Sequence, residues 1–379
     1  MPQLALPPRS PSPDADCRDL RLDFCRGVAL WFVFLDHVPD NSLSWLTLRN
    51  YGFSDTTEVF FFVSGYTCMI AYGTALHQRG WPTTVARAFQ RAWEIYVAFL
   101  LLVLAYLALV QLLGGNNYLD ETNTGLFFTN PGAAIIRTLL LQYMPVNTDV
   151  LPTFVLLHLA FPAALFLLDR APSVALAGSI LLYMAARQFG WNLPSWPQGE
   201  WYFNPLAWQA LFVIGAWYAT PGATRLKPLL QSNVAMAIAT LFLAFGLAVA
   251  LSWQFHALEV LLPQALVQLI YPIDKSSLSP LRLFHFLALA VIMARVLRHD
   301  WHGLMIRESK AIIRSGENSL PIYCLSVLLS FLGHVVLNQT SDGFSMQVVV
   351  SFLGIAIMIS AATLMTWTAK LDRRGPKLF

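Results

Sequence analysis

The feature that most restricts this chain is a series of apolar runs. Each is close to the ~20 residues that an α-helix needs to cross the hydrocarbon of a bilayer. They cover residues 23–41, 56–76, 93–113, 151–169, 173–190, 204–220, 232–253, 281–298, 319–338 and 345–369. In hydrocarbon every backbone N–H and C=O must be satisfied within the chain, so such runs fold as helices. The balance of residue types agrees. Of the 379 residues, 56% are hydrophobic and 12% charged, against about 25% charged in soluble domains. The expectation is an all-α, polytopic integral membrane bundle with about ten transmembrane helices, one per run. Two further apolar pieces, 132–144 and 258–271, read as re-entrant or interfacial helices.

Charge gives the bundle a direction. If the N-terminus is cytoplasmic and the spans alternate, most of the 24 Lys and Arg residues fall on the cytoplasmic side, as the positive-inside rule requires. The opposite loops carry Asp120, Glu121, Glu200, Asp274 and Asp342 instead. Both termini are therefore expected in the cytoplasm. Residues 1–17 are polar and Pro-rich and read as a disordered cytosolic tail, with no cleavable signal peptide. Residues 18–370 then form a single transmembrane domain, and 371–379 a short basic cytosolic tail. The four cysteines show no CxxC or Cys/His spacing, so neither a metal site nor a disulfide framework is expected. A net charge of +3 without a basic, aromatic-interleaved block gives no footing for nucleic acid. Membrane lipid is the implied surround, and self-association stays open.

Several ionisable residues stand where a plain anchor would have none. An intramembrane charge is by default a functional hypothesis. Arg26 and His37 are eleven residues apart, three helical turns, so they share a face and lie ~16 Å apart along the axis. Asp36 precedes His37, and Glu58 opens the next run. A histidine beside a carboxylate suits a neutral base that becomes imidazolium during reaction. The alternatives are a histidine bonded to a neighbouring helix, or a proton relay of Asp36, His37 and Glu58 in a carbohydrate transporter. Arg87 and Arg91 are i, i+4 neighbours. Two guanidinium groups on one face suit phosphate oxygens, although anchoring at the cytoplasmic face explains either alone. His158 and His334 read as polar contacts between helices. Trp191, Trp196, Trp201, Tyr202 and Asn204 form either a platform for sugar rings or part of an aromatic belt.

These residues also resemble a family. An Arg-Gly followed by a His eleven residues after the Arg resembles the membrane-bound acyltransferase superfamily. Glu58, Phe60, Phe61, Ser64 and Gly65 match, in order, the second helix of family-3 acyltransferases, and Arg87, Arg91, Ile95 and Tyr96 resemble the arginine motif before their third helix. The closer likeness is to the OpgC family, the osmoregulated periplasmic glucan succinyltransferases. It rests on RDLRLDFCRGVAL (18–30), Asp36-His37, SWLTLRNYGFSDTTEVFFFVSGY (44–66), FNPLAWQALFVIGAW (203–217), DKSSLSPLRLFHFLALA (274–290) and GENSLPIYC (316–324). Glu317 departs from the pattern, which has a basic residue there.

The resemblance implies an inner-membrane O-acyltransferase that moves a succinyl group from cytosolic succinyl-CoA to hydroxyls of periplasmic glucans. It implies His37 as base, Asp36 or Glu58 as its orienting carboxylate, and Ser64 as oxyanion donor. An acyl-enzyme on His37 or Ser64 stays open. Arg26, Arg87 and Arg91 would hold the nucleotide end of the acyl-CoA. Lys275 and Arg282, beside His285, would receive the second carboxylate of succinate, and Trp201 and Asn204 the glucan. Acetyl or another acyl group, or another envelope glycan, would use the same constellation.

Overall fold

Five of the long helices begin at a side chain that accepts a free N–H group of the first turn. In a computed structural model that describes residues 19–113, 115–255, 263–298 and 301–374, every regular element among the described residues is helical. Asp19 caps α1 (Leu20–His37). Asp55 caps α2 (Thr56–Arg79), where Glu58 returns to the Asp55 backbone to complete a capping box. Then follow α3 (Trp81–Leu113), α4 (Val150–Arg170) and α5 (Pro172–Phe189). Asn204 caps α6 (Pro205–Tyr218), Ser232 caps α7 (Asn233–Gln254) and Ser279 caps α8 (Pro280–Val296). The chain closes with α9 (Arg307–Glu317), α10 (Ser319–Gln339) and α11 (Phe344–Arg374).

A helix thus stands on each apolar run, but among the described residues six are long and apolar enough to cross a membrane: α2, α3, α4, α7, α10 and α11. The others are shorter. α6 has 14 residues, or ~21 Å at 1.5 Å per residue. Its residues Ala207, Trp208, Ala210, Leu211 and Phe212 are all buried, which makes it a core helix. The 132–144 piece holds a short helix, Pro131–Leu139. Of the 258–271 piece, the helix Gln264–Ile270 is described; residues 258–262 lie outside the described residues. α11 continues through Arg374, so residues 371–374 are helical where a tail was expected. The tail 1–17 and residues 375–379 lie outside the described residues.

Two pairs of reciprocal glycines set the closest helix approaches. A Cβ on Gly65 of α2 would lie 1.8 Å from the Phe212 carbonyl oxygen of α6, and one on Gly215 of α6 would lie 2.1 Å from the Phe62 oxygen of α2. Gly27 of α1 and Gly316 of α9 meet the Ile312 and Asp23 oxygens in the same way, at 2.0 and 1.8 Å. Small residues let backbones touch where lipid supplies no hydrophobic drive for association. The pairs fix α2 against α6 and α1 against α9. The main core then fills with Phe61, Phe99, Phe154, Phe161, Trp208 and Phe212.

Candidate functional site

Two cavities lie in series within the bundle. The wide one, about 1470 Å³, is lined by Asp36, His37, Ser54, Asp55, Trp201 and Lys275 among others. The narrow one, about 280 Å³, is lined by Arg26, Ser64, Cys68, Arg91 and His158 among others. Phe60, Val150 and Tyr323 belong to both linings. The two spaces therefore share part of their walls.

His37 reaches the wide cavity from the last turn of α1. Its Nδ1 lies 2.6 Å from the Val33 carbonyl oxygen one turn back. A carbonyl only accepts, so Nδ1 carries the proton and Nε2 keeps its lone pair. This is the tautomer of a base. The expected orienting carboxylates do not hold it, because both are engaged elsewhere. Asp36 accepts from the Thr47 hydroxyl at 2.6 Å. Glu58 is fully buried and accepts from Arg282 at 2.7–2.8 Å. Backbone geometry of α1 does the orienting that a carboxylate was expected to do.

Glu58 belongs to a four-member ion network at the start of α2. Lys275 Nζ lies 2.7 Å from Asp55, and Arg282 lies 3.0 Å from Asp55 and 2.7 Å from Glu58. Burial alone would raise the Asp55 carboxyl, but the Lys275 and Arg282 charges hold it well below the usual carboxylate range. Lys275 is raised by the same Asp55 contact against the opposing effect of burial. Arg282 is therefore paired, not free to take a substrate carboxylate, and only 10% exposed. Arg282 and Lys275 both belong to the lining of the wide cavity, and Lys275, whose one ion-pair partner among the described residues is Asp55, is the more exposed at 27%.

Three other expected contacts fall differently. His285 is 5% exposed and sits behind the cavity wall, its Nδ1 2.7 Å from the Ser54 hydroxyl. Asn204 is buried and spent on structure: it caps α6 and donates to the Trp191 carbonyl at 2.7 Å. Trp201 belongs to the lining of the wide cavity but is 5% exposed and packed into the main core, whereas Tyr202 beside it is half-exposed.

In the narrow cavity, Arg26 donates to the Thr67 hydroxyl at 2.7 Å and pairs with Asp23 at 3.8 Å. Arg91 lines the same space and pairs with Glu94 at 2.9 Å. Arg87 is exposed and outside the lining, so the expected arginine pair becomes Arg26 and Arg91. Ser64 lines the narrow cavity too. His37 is in the lining of the wide cavity and Ser64 is not, so the two do not face one space as base and oxyanion donor. His158 makes the interhelical contact expected of it, with Cys68 Sγ 3.5 Å from Nε2. His334 meets Glu121 at 3.2 Å.

Sequence reasoning passed over Ser54, Asp55, Asp149 and Tyr323. Asp55 was readable, since Asp-Thr-Thr-Glu (55–58) is a capping-box pattern. Asp149 precedes α4 and lines the wide cavity, where burial pushes its carboxyl up to about 6. Tyr323 stands at the junction of the two cavities and donates to the Asn147 carbonyl at 2.6 Å. Neither carries a local sequence signal.

No curated protein and no solved structure matches the chain. A family model described as OpgC protein matches residues 18–370. That match takes in α1 through α10 and nearly all of α11, with both cavities, and the chain belongs to the OpgC family.

Proposed function

We propose that this chain is a membrane-bound O-acyltransferase acting on a glucan, with acyl-CoA as donor and succinyl as the acyl group. The observation that carries the reading is the pair of cavities in series, with arginines in one, a neutral histidine base in the other and three shared residues between them. The proposed topology is ten spans with both termini cytoplasmic, in a bacterial inner membrane. The narrow cavity then opens to the cytosol and the wide one to the periplasm.

The phosphates of the donor meet Arg26 and Arg91 at the narrow end. Its pantetheine arm follows the apolar wall to Phe60, Val150 and Tyr323, which brings the thioester to the mouth of the wide cavity. A glucan hydroxyl there approaches the thioester carbonyl. His37 Nε2 takes the hydroxyl proton as the new C–O bond forms. The C–S bond then breaks, and the imidazolium returns the proton to the departing thiolate. A positioned base of this kind contributes ~10²–10⁴-fold. Tyr202, backed by the buried Trp201, gives the sugar rings an apolar face to stack on, and Lys275 turns from Asp55 toward the free carboxylate of a succinyl group. An acetyl group has no such partner to find, which favours the dicarboxylic donor.

The test is to incubate the purified protein with succinyl-CoA and a neutral glucan. The reading expects CoA thiol release together with one succinyl mass added per substituent. A glucan of unchanged mass would overturn it, and glucan moved across a vesicle membrane without modification would replace it with transport.

A further inference from the structure

Ser64 lies in the wrong cavity to stabilise an oxyanion near His37, yet a thioester carbonyl under attack needs a donor. The wide cavity has a candidate in Ser54, the residue before the α2 cap. It is 2% exposed and belongs to the lining of the same cavity as His37. Its hydroxyl oxygen lies 2.7 Å from His285 Nδ1. Among the described residues, His285 Nε2 is buried without a hydrogen-bond partner.

That orphan nitrogen fixes the proton. A buried N–H left without an acceptor is a rarer arrangement than a buried acceptor left short of a donor. Nε2 therefore carries the lone pair and Nδ1 the hydrogen, so His285 donates to Ser54. Accepting from His285 leaves the Ser54 hydroxyl hydrogen free to turn toward the cavity that Ser54 lines. The ring is held in place by the lack of room around it. A Cβ on Gly52 would sit 2.0 Å from Nε2, and a Cβ on Gly246 would sit 2.8 Å from Cδ2. The Phe53 ring meets it edge-on at 5.5 Å.

We propose that Ser54 donates a hydrogen bond to the oxyanion formed when the glucan hydroxyl attacks the thioester, and that His285 is the positioning residue that aims it. The proposal rests on the acyl-transfer reading above. As the carbonyl double bond opens, the oxygen gains charge and the hydrogen bond from the Ser54 hydroxyl to it shortens. When the C–S bond breaks, the carbonyl re-forms and Ser54 keeps its proton throughout. No covalent bond to Ser54 is made.

The experiment compares single variants in the glucan assay with succinyl-CoA, with thermal unfolding recorded for each. Ser54→Ala is expected to lower kcat by ~10²-fold and leave the donor KM unchanged. Ser54→Thr, which keeps the hydroxyl, recovers most of that loss. His285→Asn keeps a donor close to the Nδ1 position and retains activity, whereas His285→Leu falls as far as Ser54→Ala. Adding His285→Asn to Ser54→Ala brings no further loss. Ser54→Ala within threefold of an active wild type would overturn the proposal, as would an acyl adduct trapped on Ser54 or a folded His285→Asn as slow as His285→Leu. A wild type that acylates no glucan would overturn the reading beneath it as well.

Discussion

The two cavities hold one histidine each in the same local geometry, and the difference between them lies in what surrounds each ring. His37 and His158 both give Nδ1 to the carbonyl one turn earlier on their own helix, at 2.6 and 2.8 Å. At His158, Nε2 meets the Cys68 thiol among packed aromatic side chains. At His37, Nε2 is the nitrogen left for a wide polar cavity. A helix sets the tautomer of a histidine through its own backbone, and packing then decides whether the second nitrogen serves structure or chemistry. The charges divide in the same way. The wide cavity has its ion network buried in its wall, while the Arg91–Glu94 pair at the narrow cavity is 39% and 44% exposed.

The largest expected effect separates the histidines. His37→Ala should lower glucan acylation by ~10²–10⁴-fold with donor affinity unchanged, and His158→Ala should leave kcat within a few-fold. Equal losses in the two variants would erase the distinction between a reacting and a packing histidine.

The ion network comes next. Arg282→Ala leaves Glu58 buried and uncompensated, and should lower stability by about 3–5 kcal/mol in thermal unfolding. A shift near zero would mean that α2 and α8 do not depend on that contact. The acid limit of stability follows from Asp55, whose carboxyl is held below its ordinary range. Its contribution is complete above the unfolded carboxylate pKa of about 4. It fades as pH falls from there through the lower folded value.

The smallest effect concerns the arginines. Arg91→Ala removes an exposed pair worth ~0–1 kcal/mol, so stability should hold while the donor KM rises several-fold. Arg87→Ala should change neither. Matched KM changes in the two would restore the arginine pair that the sequence suggested.

The ten apolar runs and the charges carried by α1 and α2 were legible because periodicity and intramembrane charge are local signals. The partner of each charge was not. Arg282 lies 227 residues from Asp55 and 224 from Glu58, and nothing near either end names the other. Glu58 next to an apolar run reads equally well as a partner of His37 or of a distant guanidinium, and only the α2–α8 approach decides. Arg87 and Arg91 share a helix face by the i, i+4 rule, yet one is exposed and the other lines a cavity, because α3 turns only part of that face inward. Ser54 and His285 were hidden for the same reason. Their bond exists because Gly52 and Gly246 leave room for the ring, and a glycine announces space without saying what fills it.

The central claim is that the two cavities form one path through the membrane, and a sided assay tests it most directly. The protein is reconstituted in sealed liposomes with glucan trapped inside and succinyl-CoA added only outside. The trapped glucan should gain succinyl groups while CoA thiol appears outside, and the His37→Ala protein should give neither. Acylation that occurs only when donor and glucan share one side of the membrane would contradict it.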